Sequence, residues 1–283
     1  MNRLSTQKRA AVVMALVEGN SIRSTCRMTG VAKGTVLSLL ADLGAACGAY
    51  HDEHVRRITA SRIQCDEIWS FCYGKDRNLS LEQRISGLGS LWTWTALDAD
   101  TKLIVSYVCG GRDAQAADAV LKDVVSRVSN RIQLTTDGFR VYADAVENAF
   151  GTEVDYAMLI KLFGEPREGR YSPGVCIGTQ SHVVTGNPDP KHISTSYVER
   201  HNLSMRMHMR RFTRLTNGFS KKVGNHVHML SIYFLFYNFC RIHKTLRVTP
   251  AMEAGISDHV WSIEDLVKLM KPKSILDGLR QTA

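Results

Sequence analysis

Three acidic residues stand where the surrounding pattern could support metal-dependent chemistry. Asp66 lies within a stretch, 63–71, that alternates and is rich in β-forming residues, and Asp137 directly follows another such stretch. Glu199 lies near the start of a segment, 197–212, whose apolar residues recur at helical spacing. Carboxylates near strand ends are where α/β sheets place their chemistry, and Mg²⁺ prefers oxygen ligands. These three residues are therefore the candidate site.

Two of the three acidic residues have alternatives. Glu67 follows Asp66 directly, and successive side chains of a strand point to opposite faces, so only one of the pair is expected to join a site. Asp137 precedes a glycine, and an Asp-Gly pair is also a common turn. Position at a strand end favours a chemical role for Asp137.

Basic residues surround Glu199. As a helix, the segment 197–212 places Val198, Met205, Met209 and Phe212 on one buried stripe. Another face carries Glu199, Asn202, Leu203, Arg206 and Arg210. The block from Arg200 to Arg247 contains ten Lys or Arg residues and no Asp or Glu, which indicates a phosphate-binding surface. The residues of this block that we expect to contact nucleic acid are Arg206, Arg210, Arg211, Arg214, Lys221 and Lys222.

The elements around the acidic residues predict an α/β fold. Their order is β-β-β-α-β-α-β, which is typical of a mixed sheet with flanking helices. The predicted strands are 63–71, 91–97, 103–108, 131–136 and 153–162, and the predicted helices between them are 114–128 and 141–150.

The N-terminal residues 1–44 predict an all-α module of three short helices. The second and third helices are separated by a tight turn at Gly30, which is the helix-turn-helix layout. The exposed candidates for DNA contact are Arg23, Arg27, Lys33, Thr35 and Ser38. A plain three-helix bundle with a solvated basic face is the alternative. Residues 45–62 are expected to be a linker or a connecting helix.

Composition limits the class of partner. The chain has 283 residues, a formal net charge of +9 and 22% charged residues, which favours a nucleic acid as partner. The longest apolar run, 229–239, falls far short of the ~20 residues of a membrane-spanning helix, so no membrane partner is expected. Seven scattered cysteines without a CxxC pair are typical of reduced thiols, and we expect a cytoplasmic protein.

Four motifs in order resemble those of bacterial insertion-sequence transposases of the DDE type, and among these the group named after insertion sequence one. The first three are Cys-Asp-Glu-Ile-Trp-Ser at 65–70, Thr-Thr-Asp-Gly-Phe-Arg-Val-Tyr at 135–142 and Ser-Tyr-Val-Glu-Arg-His-Asn-Leu at 196–203. The fourth is the basic and aromatic run of 210–214 and 237–251, which is similar to the segment that follows the catalytic glutamate in many such enzymes. The likeness spans nearly the whole chain.

This resemblance implies a ribonuclease-H-like fold, also called retroviral-integrase-like, over residues 63–250, followed by a helical tail at 251–283. It implies that Asp66, in preference to Glu67, forms a catalytic and metal-binding triad with Asp137 and Glu199. The expected cofactors are two Mg²⁺ ions, for which Mn²⁺ can substitute. His201 and Asn202 would either orient the scissile phosphate or serve only in capping and packing.

The implied activity is binding of the element's terminal repeats, cleavage at its ends and joining of the 3′ ends to target DNA. Double-stranded DNA is the expected partner, and a homodimer or larger oligomer is the expected assembly. The expected location is the bacterial cytoplasm, at the nucleoid. A ribonuclease-H-like nuclease or resolvase, and an inactive helix-turn-helix regulator, are the alternatives.

The chain departs from the family pattern in two ways. Members of the group often carry an N-terminal zinc ribbon, and this chain has no cysteine pairs to form one. The 62 residues from Asp137 to Glu199 include a proline-rich stretch, 164–196, which we expect to be an inserted loop or small subdomain.

Overall fold

The computed structural model describes residues 4–165, 174–213 and 216–270. A six-stranded mixed sheet carries the fold, with strand order β3-β2-β1-β4-β5-β6. The strands are β1 (Arg62–Cys72), β2 (Gly89–Asp98), β3 (Ile104–Gly110), β4 (Ile132–Asp137), β5 (Val154–Phe163) and β6 (Cys176–Thr185). The helices are α1 (Thr6–Val17), α2 (Ile22–Thr29), α3 (Lys33–His54), α4 (Leu81–Ile85), α5 (Ala114–Arg127), α6 (Val141–Phe150), α7 (Ser196–His208), α8 (Val223–Leu235), α9 (Pro250–Glu253) and α10 (Ile263–Lys268).

The directions of the strands follow from their connections. β1, β2 and β3 are antiparallel neighbours: residues 73–88, which include α4, connect β1 to β2, and a short turn joins β2 to β3. β4 and β5 run parallel to β1, because each is reached through a crossover helix, α5 or α6. This order and these directions confirm the predicted α/β class with a ribonuclease-H-like sheet. The strands and the crossover helices lie within a few residues of their predicted bounds.

The stretch that we expected to be an insertion contributes to the sheet. β6 pairs antiparallel with β5 from Tyr156–Thr185 to Phe163–Cys176 and extends the sheet by one edge strand. Residues 166–173 of this stretch lie outside the described part of the chain.

The N-terminal helices pack into the same hydrophobic cluster as the sheet. α3 continues without a break to His54, through the region in which we expected either a linker or a connecting helix. It crosses α8 so closely that a methyl group at Gly44 would overlap His228. His51, buried at the far end of α3, hydrogen bonds to the carbonyl of Ile104 on β3 at 3.1 Å. The described part of the chain therefore shows no gap in packing between these helices and the sheet.

The C-terminal third of the chain covers one face of this core. α8 is followed by a π-helical turn, Phe236–Cys240, and both are mostly buried. α9 and α10 lie in the predicted tail, of which residues 271–283 are outside the described part. Within the described ranges no single helix is long and apolar enough to cross a membrane; only the bent pair α2 and α3, taken together, meets the criteria of length and composition.

Candidate active site

Asp66 lies within β1, and Asp137 lies at the end of β4, the strand that runs parallel to β1. The parallel pairing of β1 with β4 ends at Gln64 and Thr135. Each aspartate lies two residues beyond that pair, so the two occupy matching positions where the strands separate. Separation of the strands leaves space between the two carboxylates, which is where a ligand can enter.

Glu67 also reaches this group. Asp66, Glu67 and Asp137 each offer a carboxylate oxygen, and these oxygens lie within 4.8 Å of one another. The distances between carboxylate oxygens therefore do not separate Asp66 from Glu67, although both residues keep the regular pairing of β1 with β2 and their side chains leave opposite faces of the strand.

Glu67 is held by other groups. Its Oε1 accepts a hydrogen bond of 2.8 Å from Arg112, and its Oε2 accepts one of 3.1 Å from the hydroxyl of Tyr142 on α6. The Glu67 side chain is 2% exposed and is paired with a cation, so it is less available to a metal ion than its neighbour.

The crowding of carboxylates changes their acidity. Burial, together with the charges of Glu67 and Asp137, raises the pKa of Asp66 to about 7. Burial also raises the pKa of Asp137, although Phe139 donates a backbone hydrogen bond of 3.0 Å to its Oδ1. A divalent cation bound here would lower the pKa of both aspartates, since such a cation stabilises the ionised form.

Helix α7 is fixed against β1 by two polar side chains. Gln64 Oε1 accepts hydrogen bonds from the backbone amides of Tyr197 and Val198, at 2.9 and 3.1 Å, and so caps the start of the helix. One turn further on, Asn202 Nδ2 donates a hydrogen bond of 2.8 Å to Asp66 Oδ2. Both contacts use the face of β1 that carries Asp66, so they set the position of α7 relative to that carboxylate.

Glu199 lies on α7 between these two contacts but points to a different partner. Its Oε2 is ion-paired with Lys161 of β5, and its Oε1 accepts a hydrogen bond of 2.5 Å from Thr195. Glu199 is not among the carboxylates that lie within 4.8 Å of one another. In this structure the third predicted carboxylate is therefore near the site, with its charge balanced by a lysine.

The residues His201 and Asn202 have different environments. Asn202 contacts Asp66, and its Oδ1 is buried without a hydrogen-bond partner among the described residues. His201 packs among aromatic rings instead, 4.4 Å from Tyr237 and 5.8 Å from Phe234 between centroids. Burial lowers the pKa of His201 to about 3, and the choice between phosphate orientation and packing stays a prediction.

The predicted stripe of α7 is buried as expected, but the helix is shorter than predicted. Val198, Met205, Met209 and Phe212 are each at most 3% exposed. The helix ends at His208, and a 3₁₀ turn, Arg210–Phe212, follows it. Arg210 therefore does not continue the helical face of Glu199, although Arg206 and Arg210 line one cleft.

The other predicted cations of this region differ in exposure. Lys221 and Lys222 are exposed. Arg211 is turned inwards, where it donates a hydrogen bond of 2.7 Å to the carbonyl of Asn225, and burial lowers its pKa to about 10. Arg211 thus has a structural contact that the sequence does not reveal. Arg214 lies outside the described residues.

The N-terminal helices α2 and α3 meet at 111° across a three-residue turn. Ser21 caps α2 by accepting a hydrogen bond of 3.0 Å from the amide of Ser24, and Gly30 ends it with φ of 68°. This geometry lies within the range of helix-turn-helix motifs. The five predicted contact residues of the module are all exposed: Arg23, Arg27, Lys33, Thr35 and Ser38.

Sequence reasoning missed Gln64 and Lys161, and it excluded Glu67. Gln64 has one usable signal: it lies two positions before Asp66, and therefore on the same face of the predicted strand. Lys161 gives no such signal, because one lysine near the end of a predicted strand is common.

Searches with protein-family models and among curated proteins give no match to this chain. Among solved structures, the chain is similar to a piggyBac transposase synaptic complex with hairpin DNA, with a TM-score of 0.40 and 10% identity over 98% of this chain and 74% of the other. It is also similar to the Mos1 mariner paired end complex with Mn, with a TM-score of 0.25 and 11% identity over 83% and 76%. The Mos1 strand transfer complex gives a TM-score of 0.24 and 9% identity over 97% and 80%. All three are transposases.

Proposed function

We propose that this chain is a DDE transposase that binds the terminal repeats of its insertion sequence, cleaves DNA at the element ends and joins the 3′ ends to target DNA. The observation that carries the proposal is the placement of Asp66 and Asp137 at matching positions on adjacent strands, with Asn202 of α7 bonded to Asp66. α7 packs on β1 and also carries Glu199, so all three acidic residues belong to β1 or to elements that adjoin it. On the motifs alone, we assign the chain to the group named after insertion sequence one.

The acidic residues on and around β1 fit a divalent cation. Three carboxylates offer oxygens within 4.8 Å of one another, and the raised pKa values of both aspartates reflect a concentration of negative charge. We propose that Asp66 and Asp137 hold one ion and that Asp66 and Glu199 hold a second, with Mg²⁺ as the natural ion and Mn²⁺ as a substitute. Such ions activate the attacking oxygen and stabilise the leaving oxygen in phosphoryl transfer.

The chain's own residues hold the reacting groups in place. Asn202 donates a hydrogen bond to Oδ2 of Asp66, and the backbone amide of Glu67 donates one of 2.9 Å to Oδ1, so both carboxylate oxygens are held in place. Gln64 fixes the start of α7 and so limits where Glu199 can reach. Lys161 forms an ion pair with Glu199, and this pair must break before the carboxylate can bind a metal ion.

The proposed DNA contacts come from two regions. Lys33, Thr35 and Ser38, at the start of α3, are exposed where a recognition helix meets base edges, and Arg23 and Arg27 of α2 are placed to hold phosphates. Arg206, Arg210, Lys221 and Lys222 supply positive charge on the catalytic side. Because two element ends react together, we propose a homodimer or larger assembly on double-stranded DNA in a bacterial cytoplasm.

A strand-transfer assay tests the proposal. Purified protein is mixed with DNA carrying the repeats that flank its gene and with a supercoiled target plasmid, in Mg²⁺, Mn²⁺ or EDTA. We expect metal-dependent joined products that Asp66→Asn, Asp137→Asn and Glu199→Gln each reduce at least about 1,000-fold, with DNA binding retained. Asp144→Asn, at an exposed carboxylate of α6, is the matched control and should join normally.

The other outcomes of this assay identify the alternatives. Cutting without joining would indicate a nuclease of the ribonuclease-H class. Metal-independent, site-specific binding with neither reaction would indicate a regulator. Loss of DNA binding in all three carboxylate variants would count against the proposed roles of these residues.

A further inference from the structure

A cleft of about 1090 Å³ lies at the end of β1, three and more residues beyond Asp66 along the strand. Its walls are the end of β1, the connection that follows β1, and the segment around Arg210–Phe212. Among the described residues that line it, five are Lys or Arg and none is Asp or Glu: the cations are Lys75, Arg77, Arg206, Arg210 and Arg211. Asp76, between two of them in sequence, instead accepts a hydrogen bond of 2.7 Å from the amide of Ser90. The cleft therefore suits a polyanion.

Aromatic rings line the same cleft. The rings of Phe71 and Phe219 lie 4.7 Å apart between centroids and are inclined by 33°, and Trp69 lies 5.6 Å from Phe71. Lys221 Nζ stands 3.3 Å above the ring of Phe219. Rings bordered by cations are the combination with which proteins bind unpaired nucleic acid, because bases stack on the rings while phosphates meet the cations.

Tyr73 is the most exposed of these rings. It is 51% exposed, and its φ of 69° lies in the left-handed region, which a tyrosine rarely adopts. The carbonyl of Ser220 accepts a hydrogen bond of 2.7 Å from the amide of Tyr73 and holds this conformation. This backbone conformation, unfavourable for a large side chain, keeps about half of the ring in solvent. The exposed ring is thus available to a ligand.

Two elements lead from the carboxylates into the cleft. β1 carries Asp66 and, four residues further on and on the same face, Ser70, which lines the cleft roughly 13 Å away along the strand at ~3.3 Å per residue. α7 carries Asn202, which contacts Asp66, and Arg206, one turn further on, which lines the cleft. A DNA strand with a phosphate at Asp66 could therefore continue along the cleft without leaving the protein surface.

We propose that this cleft binds an unpaired stretch of the DNA strand next to the scissile phosphate, with bases stacked on Tyr73 and Phe219. The cations Lys75, Arg77 and Arg210 pair with its phosphates. Duplex DNA keeps its bases stacked on one another and could not use these rings, so single-stranded DNA fits the lining better. The choice of the scissile strand rests on the proposed function, whereas affinity for an unpaired strand does not.

The test measures binding of the full chain, in EDTA, to a single-stranded oligonucleotide of about 12 nucleotides that contains 2-aminopurine. Stacking of this base on an aromatic ring quenches its fluorescence. Tyr73→Asn removes the ring and tolerates the left-handed backbone, and Phe219→Leu removes a ring but keeps apolar volume. We expect each to weaken binding about 5- to 100-fold, the equivalent of ~1–3 kcal/mol per stacked base, and to reduce quenching.

Two variants serve as controls. Tyr73→Phe keeps the ring and should bind and quench like the wild type. Phe163→Leu alters an exposed ring on β5 outside the cleft and should change nothing. Melting temperatures show that each variant is folded. Unchanged single-strand binding in Tyr73→Asn and Phe219→Leu, or an equal loss in Phe163→Leu, would overturn the inference.

The test separates this inference from the proposed function. A duplex with the element's repeats, measured in parallel, should bind the wild type and Tyr73→Asn with equal affinity, because the N-terminal helices are unchanged. Ring-dependent binding of the single strand without any strand transfer would leave the inference standing and reject the transposase. Strand transfer combined with single-strand binding that does not depend on the rings would support the transposase and reject the inference about the cleft.

Discussion

Asn202 donates a hydrogen bond of 2.8 Å to Asp66, and this contact joins α7 to the strand that carries the central carboxylate. The two residues are 136 positions apart in the chain. The same helix carries Glu199 one turn earlier, so the bond links the placement of two of the proposed ligands.

Asn202→Ala should lower the rate of strand transfer at least about tenfold while DNA affinity stays unchanged. Loss of the amide frees Asp66 to rotate, and proposed metal ligands that lose such partners typically lose 10- to 100-fold in metal affinity or activity. The measurement is the rate of joining at saturating DNA. His201→Phe is the neighbouring control: it fills a buried aromatic site, removes two ring nitrogens without partners in the described chain, and should join normally. Equal defects in both variants would contradict a specific role for Asn202.

Without metal, Asp66 should destabilise the protein as the pH rises. Its pKa is about 7 in the folded state against about 3.9 unfolded, so the folded state binds the proton more tightly. The tighter binding of this proton stabilises the folded state. That stabilisation is fully present below about pH 4 and is lost as the pH rises through 7.

Melting temperatures in EDTA between pH 5 and 8 test this point. The wild type should lose stability over that range relative to Asp66→Asn, which does not titrate, and added Mg²⁺ should restore it by favouring the ionised carboxylate. A constant difference between the two proteins across the range would contradict the raised pKa.

Lys161→Gln should strengthen binding of a divalent ion in the absence of DNA. The lysine pairs with Glu199 and competes with a cation for the same carboxylate. Because half-exposed ion pairs contribute about 0.2–1 kcal/mol, the gain should be at most about fivefold. Calorimetric titration with Mn²⁺ measures it. Lys122→Gln removes the pair with Asp118 on α5 and should leave the affinity unchanged. Equal or weaker binding by Lys161→Gln would show that the lysine does not compete for the ion.

Gln64→Ala should affect both stability and rate. It leaves two backbone amides at the start of α7 without their acceptor, at a cost of about 1–3 kcal/mol in the free energy of unfolding. If Gln64 also positions Glu199, the variant should carry out strand transfer more slowly than the wild type. This rate is measured at a temperature well below the melting temperature, where the variant is fully folded. Gln133→Ala, on β4, breaks two hydrogen bonds to Asp189 and is the matched control. Full activity of folded Gln64→Ala would limit this residue to a structural role.

Much of the fold follows from local pattern. The β-rich stretches around Asp66 and before Asp137, and the apolar period of α5 and α6, are properties of neighbouring residues, so the sheet and its crossover helices could be predicted within a few positions. β6 escaped prediction because all its residues are exposed or half-buried, and it gains its place only by pairing with β5.

The sequence by itself determined which elements form, that Asp66 lies within one strand and Asp137 at the end of another, and that a positive surface follows Glu199. Only the tertiary structure decided three contacts. A carboxylate oxygen of Glu67 lies close to those of the two aspartates, Lys161 forms an ion pair with Glu199, and Gln64 caps α7. The physical reason is distance along the chain. Periodicity and capping act within a few residues, whereas these contacts join residues from 38 to 134 positions apart, or depend on where two strands separate.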